Sequence, residues 1–402
     1  MSIYDQDADK AQQQLDKISP SMCYAKWSQV SMHLTNGMTH SCYHPPTHKV
    51  PLEELEKNIT ALHNTEEKKE QRRLMLKGER PEGCSYCWNI EDQGDRSDRI
   101  YRSGEYWAQE SRQDILDAGA SGNINPRYVE VNFNQACNFK CSYCSPHLST
   151  AWQEEIDEHG EYPTVAPHNN VDSLRNKNLM PLKVAQDENP YVTAFWKWWP
   201  DMYKTLRVFR MTGGEPLMDK NTFKVMEYVL DNPNKDLELS ITTNMCPVND
   251  VLFDRFIGLL KQLDNVEHSA EVYVPDPYDG TDWQTWDHYI IGADSKRYHD
   301  SELPSIEREE IKQTFLQIGQ CEEQGDNSYT YEYKYNDKAY HNFSVFVSLD
   351  GWGQQAEYIR HGMDFDKVWN NVNRFLDETH HTSINFINTF NCLSLPSLRE
   401  FL

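Results

Sequence analysis

The chain has 402 residues, with 63 acidic against 39 basic side chains and a formal net charge of −24. Because proteins bind nucleic-acid phosphates largely through Lys and Arg, this acidic balance argues against a nucleic-acid partner. No apolar run approaches the ~20 residues that span a bilayer, and residues 1–17 lack the apolar core of a signal peptide, so we expect no membrane partner and a cytoplasmic location.

Ten cysteines in a chain without an export signal favour metal ligation over disulfides. Four of them precede residue 120 and are called here the N-terminal set: Cys23, Cys42, Cys84 and Cys87. Gly37 lies between the first two in the spacing Cys-X13-Gly-X4-Cys, and the last two form Cys-X2-Cys. Four thiolates complete either a tetrathiolate zinc site or an iron-sulfur site.

A second group, called here the triad, consists of Cys137, Cys141 and Cys144 and follows the strand-like run 128–133. Three thiolates can hold three irons of a [4Fe-4S] cluster and leave the fourth iron open to a substrate or cofactor. The alternative is a structural zinc site in which His147 completes a Cys3His ligand set.

Residues 128–402 alternate strand-like and helix-like patterns, which predicts parallel βα units. The strands are predicted at 128–133, 206–211, 237–241, 343–347 and 384–387, with amphipathic helices at 223–230, 252–263 and 368–376. Two insertions, 145–191 and 268–342, interrupt this alternation. The second contains a tyrosine-rich stretch, 329–340, that is typical of a β-hairpin around Asn336 and Asp337.

Residues that could contact a ligand follow each predicted strand that comes after the triad. In chain order they are Gly213, Gly214, Glu215, Thr242, Asn244, Ser348, Asp350 and Asn388. Because the carboxyl ends of barrel strands converge on one face, these residues are expected to form one site, although polar residues also simply mark strand ends. Glycines let a ligand approach the backbone, and the carboxylate of Glu215 can accept hydrogen bonds from an ammonium group.

Two motifs together resemble those of the radical S-adenosylmethionine superfamily. They are the triad, with Tyr143 before its last cysteine, and the Gly-Gly-Glu-Pro segment 213–216. The resemblance implies a partial (β/α) barrel and an enzyme whose triad [4Fe-4S] cluster reductively cleaves S-adenosylmethionine to a 5'-deoxyadenosyl radical, which abstracts hydrogen from a substrate. It implies that Glu215 contacts the methionine ammonium and that the Ser348-Leu-Asp-Gly351 segment contacts the ribose and carboxylate. Asn388 would contact the ribose, and Arg360 would pair with the carboxylate unless it is a solvated helix residue.

The N-terminal set resembles the SPASM and shorter twitch modules, which implies a second, auxiliary [4Fe-4S] cluster. Such modules mostly follow the barrel, whereas here the module precedes it. We therefore expect an α/β protein with a Cys-rich module at 1–120 and a barrel at 121–402. We expect the barrel to have only five strand units, either because the sixth is naturally absent or because the sequence is truncated. The implied partners are a peptide or small-molecule substrate and an electron donor such as flavodoxin or ferredoxin. The rival hypothesis is a non-catalytic iron-sulfur or zinc-binding protein derived from this fold.

Overall fold

The computed structural model describes residues 3–163, 165, 168–234, 236–264, 267–275, 289–291, 297–299, 322–324, 328–336, 342–379 and 382–401. Over these residues the strands are β1 (Gln29–His33), β2 (Met38–His40), β3 (His48–Lys49), β4 (Tyr128–Asn132), β5 (Lys140–Cys141), β6 (Val208–Thr212), β7 (Glu238–Thr243), β8 (Glu267–Pro275), β9 (Tyr289–Ile291), β10 (Arg297–His299), β11 (Glu322–Gln324), β12 (Ser328–Asn336), β13 (Asn342–Ser348), β14 (Arg360–His361) and β15 (Thr382–Ile387).

The helices of the same residues are α1 (Ile3–Asp16), α2 (Ala25–Ser28), α3 (Leu52–Lys57), α4 (Glu66–Leu76), α5 (Ser85–Glu91), α6 (Asp98–Gly104), α7 (Tyr106–Glu110), α8 (Arg112–Ala118), α9 (Thr150–His159), α10 (Val171–Asn176), α11 (Pro190–Tyr203), α12 (Lys220–Asp231), α13 (Asp250–Asp264), α14 (Gln354–Ile359), α15 (Phe365–Glu378) and α16 (Leu398–Phe401). None of the helices in the described ranges is long and apolar enough to cross a bilayer.

One mixed sheet organises the molecule, with the strand order β15-β13-β7-β6-β4-β1-β2-β3. The five strands predicted after residue 127 are β4, β6, β7, β13 and β15, and each pairs in parallel with its neighbour. A sixth parallel strand, β1, pairs with β4 along its whole length. The expected count of five strands is therefore too low, because a segment before the triad supplies one more. β2 and β3 extend this edge as an antiparallel hairpin.

The two faces of this sheet differ in chemistry because side chains alternate along each strand. On one face Val129, Phe209 and Ile241 are fully buried beneath helices, and the ring of Trp199 from α11 lies 4.8 Å from that of Phe209. Burying such a side chain contributes roughly 1.5–3 kcal/mol, so this face is the main core.

The opposite face is polar and partly exposed. Arg210 on β6 donates from Nη2 to Thr242 Oγ1 on β7 (3.0 Å), and its Nε lies 3.9 Å from Glu130 Oε2 on β4. This face is the one that the strands would turn toward the inside of a partial barrel.

The two predicted insertions differ in structure. Residues 145–191 contain α9, α10 and the start of α11. Residues 261–340 form a unit of their own, separate from the unit made by residues 1–260 and 341–402. That smaller unit holds an antiparallel sheet of order β10-β9-β8-β12-β11. In this sheet β12 pairs with β8 and β11. The turn and second strand of the hairpin predicted around Asn336 and Asp337 fall on residues 337–341, which lie outside the described part of the chain, so the hairpin stays a prediction.

Residues before β4 share a hydrophobic core with the sheet. Cys23, Cys84 and Cys87 belong to a buried cluster that also contains Trp27 and, from β4, Tyr128. Because this region also contributes β1, residues 1–120 and the later strands form one contact unit. The predicted boundary at residue 120, between the Cys-rich module and the barrel, stays a prediction.

Candidate functional site

The triad lies on a loop between β4 and α9 that is fixed by hydrogen bonds to its own flanks. The backbone N–H of Cys137 donates to Thr150 Oγ1 (3.1 Å), and Ser149 Oγ donates to the carbonyl oxygen of Phe139 (2.7 Å). Cys141 forms the short strand β5, which pairs with β14 at Arg360. The first helical turn of α9 and the segment around β14 therefore hold the loop from two sides.

The Gly213-Gly214-Glu215 segment packs directly on the residues before the triad. The N–H of Glu215 donates to the carbonyl oxygen of Ala136 (2.6 Å). Gly213 has φ +130°, and a Cβ there would lie 2.6 Å from Asn132 Oδ1. A Cβ on Gly214 would lie 2.4 Å from Ala136 O. Both glycines are thus required for the close approach of two loops, beyond any role toward a ligand.

Glu215 is buried (1% exposed) and joins the ends of β6 and β7. Its Oε1 accepts from Thr243 Oγ1 (2.6 Å) and from the N–H of Leu217 (3.0 Å), while Oε2 accepts from the N–H of Asn244 (2.7 Å). Burial raises the pKa of this carboxyl to about 7, although the three hydrogen bonds act in the opposite direction. Arg360 also lowers this pKa but does not offset the effect of burial, and no ion pair of the described residues includes Glu215. The carboxylate is therefore suited to receive a cation.

A single cavity brings most of the predicted residues together at the carboxyl ends of the parallel strands. It is lined by Cys137, Cys141, Cys144, Gly213, Gly214, Glu215, Thr242, Asn244, Ser348 and Arg360, together with Phe139, Tyr143, Leu148, Thr243, Ile387 and Thr389. Two predicted residues, Asp350 and Asn388, are not among the lining residues. Ten of the twelve residues predicted for this site therefore line one space at these strand ends.

Asp350 lies next to this cavity in a buried polar network. Its Oδ2 accepts from the hydroxyl of Tyr143 (2.6 Å), and its Oδ1 accepts from the N–H of Thr389 (2.7 Å). Arg360 Nε lies 2.7 Å from Oδ2 and forms an ion pair with it, although the Nε–H of Arg360 is not aligned for a hydrogen bond. Arg360 is 6% exposed, so it is not a solvated helix arginine, and its Nη1 donates to Cys141 Sγ at 3.6 Å. The predicted pairing of Arg360 with a cofactor carboxylate stays a prediction.

The donor set and its surroundings fit a metal cluster with an organic cofactor. Burial raises the pKa of Cys137 to about 12 and that of Cys141 to about 11, and Arg360 partly offsets the shift at Cys141. Such thiols lose their protons when a metal takes the place of the proton. Both amide atoms of Asn388 are buried without a hydrogen-bond partner in the described structure, as expected where a polar ligand completes a site.

The four thiols of the N-terminal set also converge on one cavity, which Lys26, Arg99 and Arg102 line as well. Cys23 precedes α2, Cys42 follows the β1–β2 hairpin, and Cys84 and Cys87 lie at the start of α5. Gly37 forms the hairpin turn with φ +69°, which explains the glycine in the spacing pattern. Burial raises the pKa of Cys23 to about 12 and that of Cys87 to about 11.

The position of His147 gives no support to the Cys3His zinc alternative at the triad, and the tetrathiolate zinc alternative at the N-terminal set stays open. His147 accepts or donates at Ser145 Oγ (2.6 Å) and is not among the residues that line the triad cavity. Across the residues that the structure describes, no group of three or more His, Cys, Asp or Glu side chains surrounds a point where one metal ion would sit.

Sequence reasoning missed two residues of this site. Thr243 Oγ1 donates to Glu215, and the N–H of Thr389 donates to Asp350, but neither threonine is among the predicted site residues. The signal for Thr243 was available, because it follows Thr242 at the end of β7 and its side chain must point to the opposite face.

Comparisons with known proteins give short, low-identity matches. The chain is similar to GTP 3',8-cyclases from Sulfurimonas denitrificans (27% identity over 117 residues), Campylobacter jejuni (28% over 145) and Campylobacter curvus (30% over 117). These alignments cover 29%, 35% and 29% of this chain and 27%, 36% and 27% of the relatives. The matched part is therefore about a third of the relatives' length or less. No protein-family model matches the chain. No solved structure matches it either.

The matches agree with the mixed α/β fold and its parallel strands. Together they support the radical S-adenosylmethionine superfamily for this chain.

Proposed function

We propose that this protein is a radical S-adenosylmethionine enzyme whose triad holds a [4Fe-4S] cluster. The observation that carries the proposal is the single cavity shared by the three triad thiols, the two glycines, Glu215 and Ser348 at the carboxyl ends of parallel strands. When bound, the cluster and cofactor together supply a 5'-deoxyadenosyl radical that abstracts a substrate hydrogen.

The residues of this chain would bind and orient the cofactor. Glu215 is a buried carboxylate that forms no ion pair within the described part of the chain, so it would accept hydrogen bonds from the methionine ammonium. Thr242, Asn244 and Ser348 line the same cavity and offer hydroxyl and amide groups to the ribose and carboxylate. Asn388, with its unpartnered amide, would turn toward the ribose.

The N-terminal set would hold an auxiliary [4Fe-4S] cluster, supported by the convergence of its four thiols on one cavity. Since four cysteines complete its ligand set, its role is electron transfer or structure rather than direct substrate coordination. An electron donor such as flavodoxin or ferredoxin would reduce the triad cluster. The nine described cysteines are free thiols, which agrees with the reducing cytoplasm as the proposed location.

The substrate would be a peptide or a polar small molecule bound on the polar face of the sheet, where Glu130 and Arg210 are partly exposed. The two side chains offer opposite charges to a ligand carrying an amine and an acidic group. GTP is a specific candidate to test, because the relatives are named for a reaction on it.

The test is anaerobic reconstitution with iron and sulfide, followed by assay for 5'-deoxyadenosine in the presence of S-adenosylmethionine and a reductant. We expect the product from the intact chain and none from a Cys141→Ala variant. A second reaction with GTP would show whether the relatives' substrate stimulates turnover. No 5'-deoxyadenosine from protein with full iron content would refute the proposal in favour of a non-catalytic iron-sulfur protein.

A further inference from the structure

The side chain of Arg360 lies against one sulfur of the triad. Its Nη1 donates to Cys141 Sγ at 3.6 Å, and the two residues are 6% and 8% exposed. A hydrogen bond between buried groups is electrostatically stronger than one in water, because its surroundings screen it poorly. Since a guanidinium carries only donors and does not lose its proton in proteins, Arg360 offers Cys141 a permanent N–H donor.

The backbone fixes this contact. Arg360 on β14 and Cys141 on β5 are directly opposite each other in an antiparallel pair, so their side chains leave the pair on the same side. Next to them the N–H of Ser142 donates to the carbonyl oxygen of Ile359 (2.8 Å). The strand pairing therefore places the arginine over the sulfur of its cross-strand neighbour.

Two further residues hold the guanidinium. Its Nε lies 2.7 Å from Oδ2 of the fully buried Asp350, and its Cζ lies 5.6 Å from the centre of the Tyr143 ring. The Tyr143 hydroxyl donates to the same Asp350 oxygen (2.6 Å). A cation over an aromatic ring and beside a buried carboxylate is attracted by both. These contacts keep the arginine head next to Cys141.

The ion pair with Asp350 also decides which property of Arg360 reaches the sulfur. One positive and one negative charge lie 2.7 Å apart, so the buried pair as a whole is neutral. What Arg360 adds at Cys141 is therefore the directed N–H bond rather than a net positive charge.

We propose that the N–H bond from Arg360 to the Cys141 sulfur raises the reduction potential of the triad cluster. This inference rests on the [4Fe-4S] cluster of the proposed function. An external donor such as flavodoxin or ferredoxin adds one electron on reduction, which makes the cluster sulfurs more negative, and a hydrogen-bond donor stabilises that form more than the oxidised one. The bond therefore makes the triad cluster easier to reduce. Arg360 acts through Cys141 as a positioning residue and does not ligate iron.

The test removes both members of the ion pair from the full chain, as Arg360→Met with Asp350→Asn. Removing one member alone would strand a buried charge, whereas removing both leaves the site as neutral as before. The asparagine oxygen can still accept from the N–H of Thr389, and its NH2 group can donate to the Tyr143 hydroxyl. The double variant therefore loses the bond to sulfur without a change of net charge.

Iron content and midpoint potential are measured on reconstituted protein without S-adenosylmethionine, the potential by redox titration followed by electron paramagnetic resonance. A variant with all three triad cysteines replaced by alanine gives the signal of the N-terminal set alone, which is subtracted. We expect unchanged iron and an equilibrium constant for reduction of the triad cluster that is about tenfold smaller, a decrease of about 59 mV for one electron. The signal of the N-terminal set should not shift.

Arg175→Met with Asp172→Asn is the matched control. This pair has the same chemistry, with 2.8 Å between Arg175 Nη1 and Asp172 Oδ1, but both side chains are exposed. Within the described residues Arg175 donates to no cysteine sulfur, so the triad potential should equal that of the parent. If the Arg360→Met double variant does not fold, Arg360→Leu with Asp350→Asn also removes the donor and should give the same shift.

Full iron with an unshifted triad potential in the folded double variant would overturn this inference. A parent protein whose triad gives no [4Fe-4S] signal, or holds zinc, would instead contradict the proposed function.

Discussion

Replacing Glu215 by glutamine is the sharpest test of the candidate site, because it removes one charge and leaves the side-chain shape. In the structure Oε1 accepts from Thr243 and Leu217, and Oε2 accepts from Asn244. A glutamine must place its NH2 group at one of these two positions. In either orientation a donor then faces the backbone N–H of Leu217 or that of Asn244, and that N–H loses its acceptor.

Two magnitudes follow from this geometry. Leaving one buried N–H without a partner costs about 1–3 kcal/mol of unfolding free energy. A hydrogen bond to a charged group contributes about 1.5–3 kcal/mol, so losing the bond to the methionine ammonium should raise the cofactor Kd about 10- to 150-fold. Iron content should not change, since Glu215 is not among the cysteine ligands.

The assay is titration of S-adenosylmethionine into reconstituted protein at pH 8, with denaturant unfolding measured in parallel. Glu238→Gln is the control, because Glu238 begins the same strand, β7, at its opposite end and accepts from the Tyr106 hydroxyl (2.6 Å). Its cofactor affinity should match that of the parent. An unaltered affinity in Glu215→Gln, with iron intact, would refute the role assigned to this carboxylate.

Three further predictions can be checked on the same protein. Burial raises the pKa of Glu215 to about 7 from the usual 4.5, so ionisation of this carboxyl opposes folding. The unfolding free energy of the cofactor-free, metal-free protein should therefore fall by about 3 kcal/mol as the pH rises from 4.5 to 7. The Glu215→Gln variant should lack this pH dependence. Replacing the three triad cysteines by alanine should remove about half of the iron and leave a four-iron signal, since each cluster carries four irons; complete loss would contradict two independent sites. Arg360→Met leaves the buried Asp350 carboxylate without its cation and should cost about 3–5 kcal/mol in denaturant unfolding, whereas Arg175→Met, in an exposed pair with Asp172, should cost no more than about 1 kcal/mol.

The five parallel strands after residue 127 could be predicted from the sequence to within one or two residues. Each is a short apolar run bounded by polar residues, and the burial of its core face produces that pattern. β1 could not be found in this way. Its five residues, Gln-Val-Ser-Met-His, pair with a strand about a hundred positions later, and a parallel partner leaves no local turn signal.

The candidate site was predictable at the level of residue groups but not of individual contacts. The strand-end rule grouped residues that line one cavity with the triad, namely Gly213, Gly214, Glu215, Thr242, Asn244 and Ser348. It could not reveal that Asp350 turns toward Arg360 and Tyr143, because that depends on the pairing of β5 with β14, two strands of two residues each.

The parallel pairing of β1 with β4 has a consequence for how the chain can be divided. If residues 1–120 were removed, β4 would become the edge of the sheet, and a row of its backbone N–H and C=O groups would lose their partners. Unprotected edges of this kind recruit strands from other molecules. A shortened chain that begins at residue 121 should therefore self-associate rather than give a free barrel, and the cysteine-bearing region should not be exchangeable between proteins as an independent cassette.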